Sequence, residues 1–317
     1  MQRRSFLSLS AISGAAAVIG STAANARAAG DAAPACASSG ATIALPAPAK
    51  PAQLNLCHQW NNIPARDING KLDFLEQNGY AAVELPTGRQ LLDMASKLQD
   101  ALKGRKLFVA TACGPSDFSY AEKAKRDAEV EKFLPQLEVL GALKSAGLIL
   151  CPARRSVAIA GGFPALREDF VKNTGKRLAE HAAKNGTAIV LEPLRRQETD
   201  FLRQVADGAA IARDIGEGAK VMGDFWHMAT EETSCLGAFI SAGKWLAHVH
   251  IASLGNRRIP GSEPKRDNYI NGFRGLKVIG YTGAVSFEGG GSNRDFSKRA
   301  QQFADMCKYL RDQWAKA

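Results

Sequence analysis

The sequence predicts an α/β fold, specifically a single (β/α)8 TIM barrel that follows an N-terminal export signal. From about residue 53, short apolar runs alternate with helical patterns, which is typical of βα units around a parallel sheet. Eight such units fit into roughly 265 residues, close to the length of about 250 that is usual for this barrel. No glycine-rich phosphate loop follows the first strand, which disfavours an open doubly wound sheet.

Residues 1–28 have the layout of a signal peptide. Arg3 and Arg4 are followed closely by Phe6-Leu7, and an alanine-rich apolar stretch over 10–24 precedes small residues at a cleavage-type spacing. This layout resembles the twin-arginine signal, which exports folded proteins, with a Sec signal as the alternative. The apolar stretch is too short to be a stable membrane anchor. We therefore expect a periplasmic protein.

Charge and composition limit the classes of partner. Residues 29–52 are rich in Ala, Pro and Ser and are predicted to form a linker, which leaves 53–317 for the barrel. The net charge is +10; without residues 1–28, which hold three arginines and no acidic residue, 38 basic and 31 acidic residues leave +7. Because no long Lys/Arg run exists, we expect no nucleic-acid partner.

The cysteines are scattered along the chain. None forms a Cys-x-x-Cys pair, which excludes a zinc ribbon or a thioredoxin-like motif. We expect most of them to be buried thiols. The six are Cys36, Cys57, Cys113, Cys151, Cys235 and Cys307.

Eight apolar runs are predicted to be the barrel strands. In chain order they are Leu54–His58, Ala81–Leu85, Leu107–Cys113, Gly147–Cys151, Ala188–Glu192, Lys220–Asp224, Ala247–Ala252 and Ala284–Glu288. Helical periodicity fills the intervals between several of these strands. Ile68, Leu72 and Leu75 repeat at helical spacing before the stop signal Asn78-Gly79. Further stripes begin at Val130, Phe170, Phe201 and Phe296.

The last four predicted strands each end on a residue that can bind a metal ion. Catalytic groups of TIM barrels lie at the C-terminal strand ends, and side chains alternate between strand faces, so these residues can share the inward face. Crowded carboxylates raise one another's pKa, a conflict that a divalent cation removes. One divalent ion is therefore predicted, with Mn²⁺ as first choice and Mg²⁺, Co²⁺ or Zn²⁺ as alternatives. Its predicted ligands are Glu192, Asp224, His250 and Glu288.

This pattern resembles the xylose-isomerase-like TIM barrels, and within them the ketose 3-epimerases and the hydroxypyruvate isomerase group. The matching motifs are Glu192, Asp224-Phe-Trp-His227, His248-Val-His250 with Asn256-Arg257, and Phe287-Glu288-Gly289. The resemblance covers roughly residues 53–315 and implies the same four metal ligands. It also implies substrate contacts by Glu198, His227 and Arg257.

Two departures from the family pattern concern the substrate. The interval from His250 to Arg257 is one residue longer than in the epimerases, which leaves open whether Arg257 or Arg258 faces the substrate. The loop over 193–197 also replaces an Asn/Arg-rich version, so sugar selectivity cannot be carried over. Both departures fall on loops and leave the predicted metal ligands unchanged.

The resemblance implies a metal-dependent sugar isomerase or epimerase. Such an enzyme removes a proton beside a carbonyl and returns it through an enediolate, with the metal acting as a Lewis acid. Glu192 and Glu288 are the expected acid–base pair. The expected partner is a small carbohydrate, and assembly into a homo-oligomer is left open.

Three other functions remain to be weighed. A metal-dependent lyase acting on 3-keto-glycosides would use the same residues, and a non-catalytic sugar-binding barrel is the second alternative. An abasic-site endonuclease is disfavoured, because it needs histidines where this chain has Glu84-Leu85-Pro86 and Ala112-Cys113-Gly114. Glu84 and His248 are expected to be buried supporting groups, and His58 is either a pocket residue or part of loop packing.

Overall fold

Eight parallel strands close into a barrel in chain order, with β1 hydrogen-bonded to β8. The computed structural model describes residues 51–154, 158–289 and 296–317. The predicted TIM barrel is confirmed, and every predicted strand end lies within one residue of the observed one. The strands are β1 Asn55–Gln59, β2 Ala82–Pro86, β3 Phe108–Cys113, β4 Gly147–Leu150, β5 Ile189–Leu191, β6 Ala219–Asp224, β7 Leu246–Ile251 and β8 Ala284–Phe287.

Helices form the outer layer around the strands. A π-helix over Phe170–Thr174 joins α4 to α5, and the sequence pattern did not indicate it. The helices are α1 Ile68–Gln77, α2 Arg89–Ala101, α3 Lys123–Ala142, α4 Gly162–Asp169, α5 Gly175–Lys184, α6 Val205–Ile215, α7 Phe225–Glu231, α8 Cys235–Ala242, α9 Ile270–Val278 and α10 Phe296–Lys316. Short 3₁₀ turns follow β1 and α8.

The core has two parts, on the two faces of the strands. Outward side chains such as Leu56 and Val83 join the large apolar layer between barrel and helices. Inward side chains form small separate clusters, one of which contains Val190 and Met222. Each of these two residues precedes a predicted metal ligand by two positions. Strand alternation therefore directs those ligands into the barrel mouth.

His58 belongs to the layer between barrel and helices. Its ring is fully buried and packs edge-on against Phe287 and Phe303, with centroids 5.3 and 4.4 Å away. Burial lowers the pKa of His58 to about 4, so the imidazole is neutral. His58 therefore packs between the barrel and the helices, which is neither the pocket position nor the loop packing that the sequence left open.

The expectations about the cysteines, the signal peptide and the linker concern residues that the structure describes only in part. The five cysteines of the described ranges are free thiols, whereas Cys36 lies outside them. In the same ranges, no helix combines the length and apolar character needed to cross a membrane. The predicted signal peptide, and all of the predicted linker except residues 51 and 52, lie outside the described residues.

Gly218, just before β6, allows the backbone at the start of this strand to lie close to α5. Its φ is +79°, and an added Cβ would lie 2.0 Å from the backbone oxygen of Ala179 in α5. Gly186 has a similar φ of +73°, but nothing lies within 4 Å of an added Cβ there. Comparing alanine substitutions at Gly186 and Gly218 therefore distinguishes the cost of the left-handed backbone from the cost of the steric clash.

We expect Gly186→Ala to cost about 1–2 kcal/mol of unfolding free energy from the left-handed backbone alone. Gly218→Ala should cost a further 1–3 kcal/mol or so, because α5 must move away from the strand entry. Urea unfolding of both variants measures the difference. Equal losses would contradict the close approach.

Candidate metal centre and active site

The four predicted ligands converge at the C-terminal mouth of the barrel. Glu192 directly follows β5, Asp224 ends β6, His250 lies in β7 and Glu288 directly follows β8. Each offers one ligand atom, and these four atoms all lie within 4.8 Å of one another. Three of the side chains are buried, while that of Glu288 is 22% exposed. Their convergence is observed; their binding of a metal stays a prediction.

The contacts of His250 show which of its ring nitrogens carries the hydrogen and which one faces the carboxylates. Its Nε2 lies 2.8 Å from Glu84 Oε2, and because an ionised carboxylate only accepts, Nε2 carries the hydrogen. In the neutral ring, the lone pair of Nδ1 then faces Glu288 Oε2 at 2.8 Å and Glu192 Oε1 at 3.6 Å. Neither Nδ1 nor the buried Asp224 Oδ2 makes a hydrogen bond to any described residue. Three oxygens and one nitrogen facing each other fit a divalent cation.

The charges of the cluster are strongly coupled. Burial disfavours the imidazolium of His250, but Glu84 and Glu288 outweigh it and hold the pKa of His250 well above its usual value. Burial also opposes ionisation of Glu288, yet His250 and Arg257 bring the pKa of Glu288 down to about 2. The carboxylates of the site therefore stabilise a positive charge placed next to them.

Of Arg257 and Arg258, Arg257 is the one that enters the site. Its Nη2 lies 2.5 Å from Glu288 Oε2 and 3.1 Å from Asp224 Oδ2. Its backbone has a φ of +54°, an uncommon conformation for a residue other than glycine. Arg258 instead lines a separate outer groove beside α10. The extra residue after β7 thus leaves Arg257 at the centre.

A buried carboxylate holds the loop that carries Arg257. Asp267 is fully buried and accepts hydrogen bonds from the Ser253 hydroxyl at 2.9 Å and from the backbone NH groups of Leu254 and Gly261. These bonds fold the segment 253–267 around one acceptor. No sequence pattern indicates this role, because an aspartate in a polar loop is ordinary.

The loop after β5 is locked to the start of α7. The backbone NH of Arg195 donates to His227 Nδ1 at 3.2 Å, which leaves the hydrogen of the neutral ring on Nε2. The Arg195 guanidinium stacks on Trp226 at 3.6 Å and binds Glu198 at 3.0 Å. Trp226 also lies 4.3 Å from the guanidinium of Arg257. The segment that departs from the family pattern therefore positions Glu198 and His227.

A cavity of about 260 Å³ opens above the cluster. Five of the seven predicted site residues line it, and the other two, Asp224 and His250, are buried beside them. The five are Glu192, Glu198, His227, Arg257 and Glu288.

Sequence reasoning missed several lining residues from the first half of the barrel. Gln59, Cys113 and Cys151 stand at or just after the ends of β1, β3 and β4, and Arg154 lies just beyond. The same strand-end rule could have found the first three. Burial raises the pKa of both thiols well above its usual value, so they are neutral.

The fold and this site define a TIM-barrel enzyme with paired carboxylates at the barrel mouth. A family model for the xylose isomerase-like TIM barrel matches residues 72–313, and the chain belongs to that family. The 3-dehydro-D-guloside 4-epimerase of Escherichia coli K12 is 26% identical over 262 residues, which are 77% of this chain and 94% of that protein. The D-psicose 3-epimerase of Agrobacterium fabrum is 38% identical over 112 residues, which are 35% of this chain and 38% of that protein.

Solved structures show the same fold. A 3-keto-D-glucoside 4-epimerase from E. coli superposes with a TM-score of 0.72 at 24% identity, covering 82% of this chain and all of that one. A D-psicose 3-epimerase in the presence of D-fructose gives 0.68 at 21% identity, covering 82% and 99%. The predicted family resemblance is confirmed. The family and the epimerase names of its members also confirm an enzyme of the isomerase class.

Metal binding should release protons. Below the raised pKa of His250, a proton on Nδ1 competes with the ion, so the affinity for Mn²⁺ should rise with pH by up to about tenfold per unit. The number of protons released per ion should approach one below the raised pKa and fall toward zero as the pH rises through it. Calorimetric titration of the metal-free chain in two buffers of different ionisation enthalpy measures that number. Affinity independent of pH, with no proton released, would contradict this account of His250.

Proposed function

We propose that the chain is a metal-dependent sugar epimerase that removes and returns a proton beside a ketone. The supporting observation is the convergence of four ligand atoms within 4.8 Å beside a cavity of about 260 Å³. That volume lies just below the range of typical drug-sized pockets and suits a small carbohydrate. Two carboxylates in the cavity wall also supply the acid and the base that epimerisation requires.

The proposed metal ligands are Glu192, Asp224, His250 and Glu288. Three carboxylates with one imidazole favour Mn²⁺, and Mg²⁺, Co²⁺ or Zn²⁺ are the alternatives. When bound, the ion would polarise the substrate carbonyl as a Lewis acid. Arg257, in contact with both Asp224 and Glu288, would share in neutralising the carboxylates.

Glu192 and Glu288 are the proposed acid and base. They extend from β5 and β8 and both line the cavity. One carboxylate takes the proton from the carbon beside the ketone, and the electron pair of the broken C–H bond moves onto the carbonyl oxygen. The other enters the step as a neutral carboxylic acid and gives its proton to the opposite face of the same carbon, while the electron pair returns from oxygen to carbon. The ketone is restored, the carbon is inverted, and the proton now lies on the first carboxylate. The lowered pKa of Glu288 keeps it ionised and ready to act as base.

His227 and Arg257 are the proposed oxygen-binding pair. His227 Nε2 and Arg257 Nη1 lie 3.2 Å apart at the cavity wall. In the tautomer set by Arg195, both atoms are donors. One substrate oxygen on the cavity side would accept from both, at a hydrogen-bond distance of about 2.9 Å from each. Glu198, held by Arg195 in the cavity wall, would accept from a substrate hydroxyl.

We propose a 3-keto-glycoside as the substrate class, with a free ketose as the second candidate. The relative matched over 94% of its length carries the name 3-dehydro-D-guloside 4-epimerase, whereas the D-psicose 3-epimerase match covers only 38% of that protein. A lyase acting on the same ketone would begin with the same proton removal and would differ by expelling a leaving group.

In D₂O with Mn²⁺, the wild type should place deuterium on the carbon beside the ketone and form the epimer. Glu288→Gln should slow this exchange by about 10²–10⁴-fold, because it removes the base. Glu180→Gln is the matched control, since that carboxylate lies on α5, 56% exposed, in a loose ion pair. NMR across 3-keto-glycosides and ketoses reads both the exchange and the product.

Each outcome of that experiment selects a function. Epimer with deuterium supports the proposal, and a released aglycone identifies a lyase. A sugar that binds without exchange identifies a binding protein. No exchange with any sugar of the panel contradicts the proton-transfer proposal.

We further propose export to the periplasm by the twin-arginine pathway, on the layout of residues 1–28. Replacing both Arg3 and Arg4 by lysine should leave unprocessed precursor in the cytoplasm, while the wild type is shortened and periplasmic. Fractionation and mass spectrometry of the full chain expressed in a bacterium measure this. Unchanged export of the double variant would point to the Sec route.

A further inference from the structure

We propose that Glu84 is a positioning residue for the metal centre, which holds the His250 ring with Nδ1 toward the ligand carboxylates. The inference rests on the proposed metal centre and assigns a function to a residue outside its ligand set. Glu84 lies in β2 with a fully buried side chain. Its Oε2 reaches across the barrel interior to His250 Nε2 at 2.8 Å.

Glu84 is itself held rigidly. Gln59 Nε2 donates to its Oε1 at 2.8 Å. Its Oε2 accepts from Thr111 Oγ1 at 3.0 Å and from His248 Nε2 at 2.8 Å, in addition to His250. These donors come from β1, β3 and β7, so the carboxylate cannot turn without breaking several bonds. A fixed acceptor fixes the ring that donates to it.

The contact decides which nitrogen of His250 is available. An imidazole can carry its hydrogen on either nitrogen, and only the bare one binds a metal ion. With Nε2 committed to Glu84, the bare nitrogen is Nδ1, which faces Glu192 and Glu288. A carboxylate behind a metal-binding histidine also makes its ligand nitrogen more basic. An apolar residue at position 84 would leave the Nε2 hydrogen buried without an acceptor.

Glu84 could alternatively be a ligand of a second ion. Atoms of Glu84, Cys113 and His250 also lie within 4.8 Å of one another. The 2.8 Å bond from His250 Nε2 argues against this, because a nitrogen that donates to Glu84 offers no lone pair there. The two roles predict different numbers of bound ions.

The test is Mn²⁺ titration of the metal-free full chain by calorimetry, with electron paramagnetic resonance to count bound ions. Wild type should bind one ion. Glu84→Leu should bind it about 10–100-fold more weakly, and Glu84→Gln, which keeps an acceptor oxygen, about three- to tenfold more weakly. Thr187→Val is the matched control: it removes a buried hydroxyl that donates to the backbone oxygen of Ser145 at 3.0 Å, at the opposite end of the barrel, and should change the affinity less than twofold.

Circular dichroism of the metal-free variants establishes that each is folded. Affinity within threefold of wild type in a folded Glu84→Leu overturns the proposal. If that variant does not fold, affinity within twofold of wild type in Glu84→Gln overturns it. Two ions in wild type and one in Glu84→Leu would instead make Glu84 a ligand. A wild type that binds no Mn²⁺ overturns the metal centre as well, whereas equal binding by wild type and variants overturns only the role of Glu84.

Discussion

The mouth of this barrel is organised around three carboxylates that are held close together although their negative charges repel one another. Glu192, Asp224 and Glu288 are brought within a few ångströms of His250 Nδ1 by four consecutive strands. Buried carboxylates repel one another in a medium of low dielectric constant, and this arrangement is stable only when cations balance them. Arg257 supplies one positive charge, and the donor set fits a divalent ion for the rest.

The loops around the mouth follow from that constraint. Arg257 must reach two buried carboxylates from a backbone in the left-handed region, so its loop needs firm support. Asp267 provides this support by collecting the donors of the segment 253–267. On the other side, Arg195 ties Glu198, Trp226 and His227 into one unit. Rigid loops on a rigid barrel are what acid–base chemistry needs, because a proton moves only over hydrogen-bond distances.

The two halves of the barrel contribute different kinds of residue to the candidate site. The late strands carry the proposed ligands and the acid–base pair, which match the family motifs. The early strand ends contribute the neutral groups of Gln59, Cys113 and Cys151 to the cavity, and the segment after β4 adds the cation of Arg154. The loops over 193–197 and 253–257, which also border the cavity, are where this chain departs from the family pattern.

The sequence by itself determined the barrel and the residues at its late strand ends. Strand alternation and strand order are local properties, so Glu192, Asp224, His250 and Glu288 could be placed on one face before any contact was known. Tertiary structure alone decided that His58 turns outward and that Arg257, rather than Arg258, enters the site. It also decided that Glu84 binds His250, 166 positions further along the chain. These outcomes depend on the closure of the barrel and on loop paths, which no local pattern encodes.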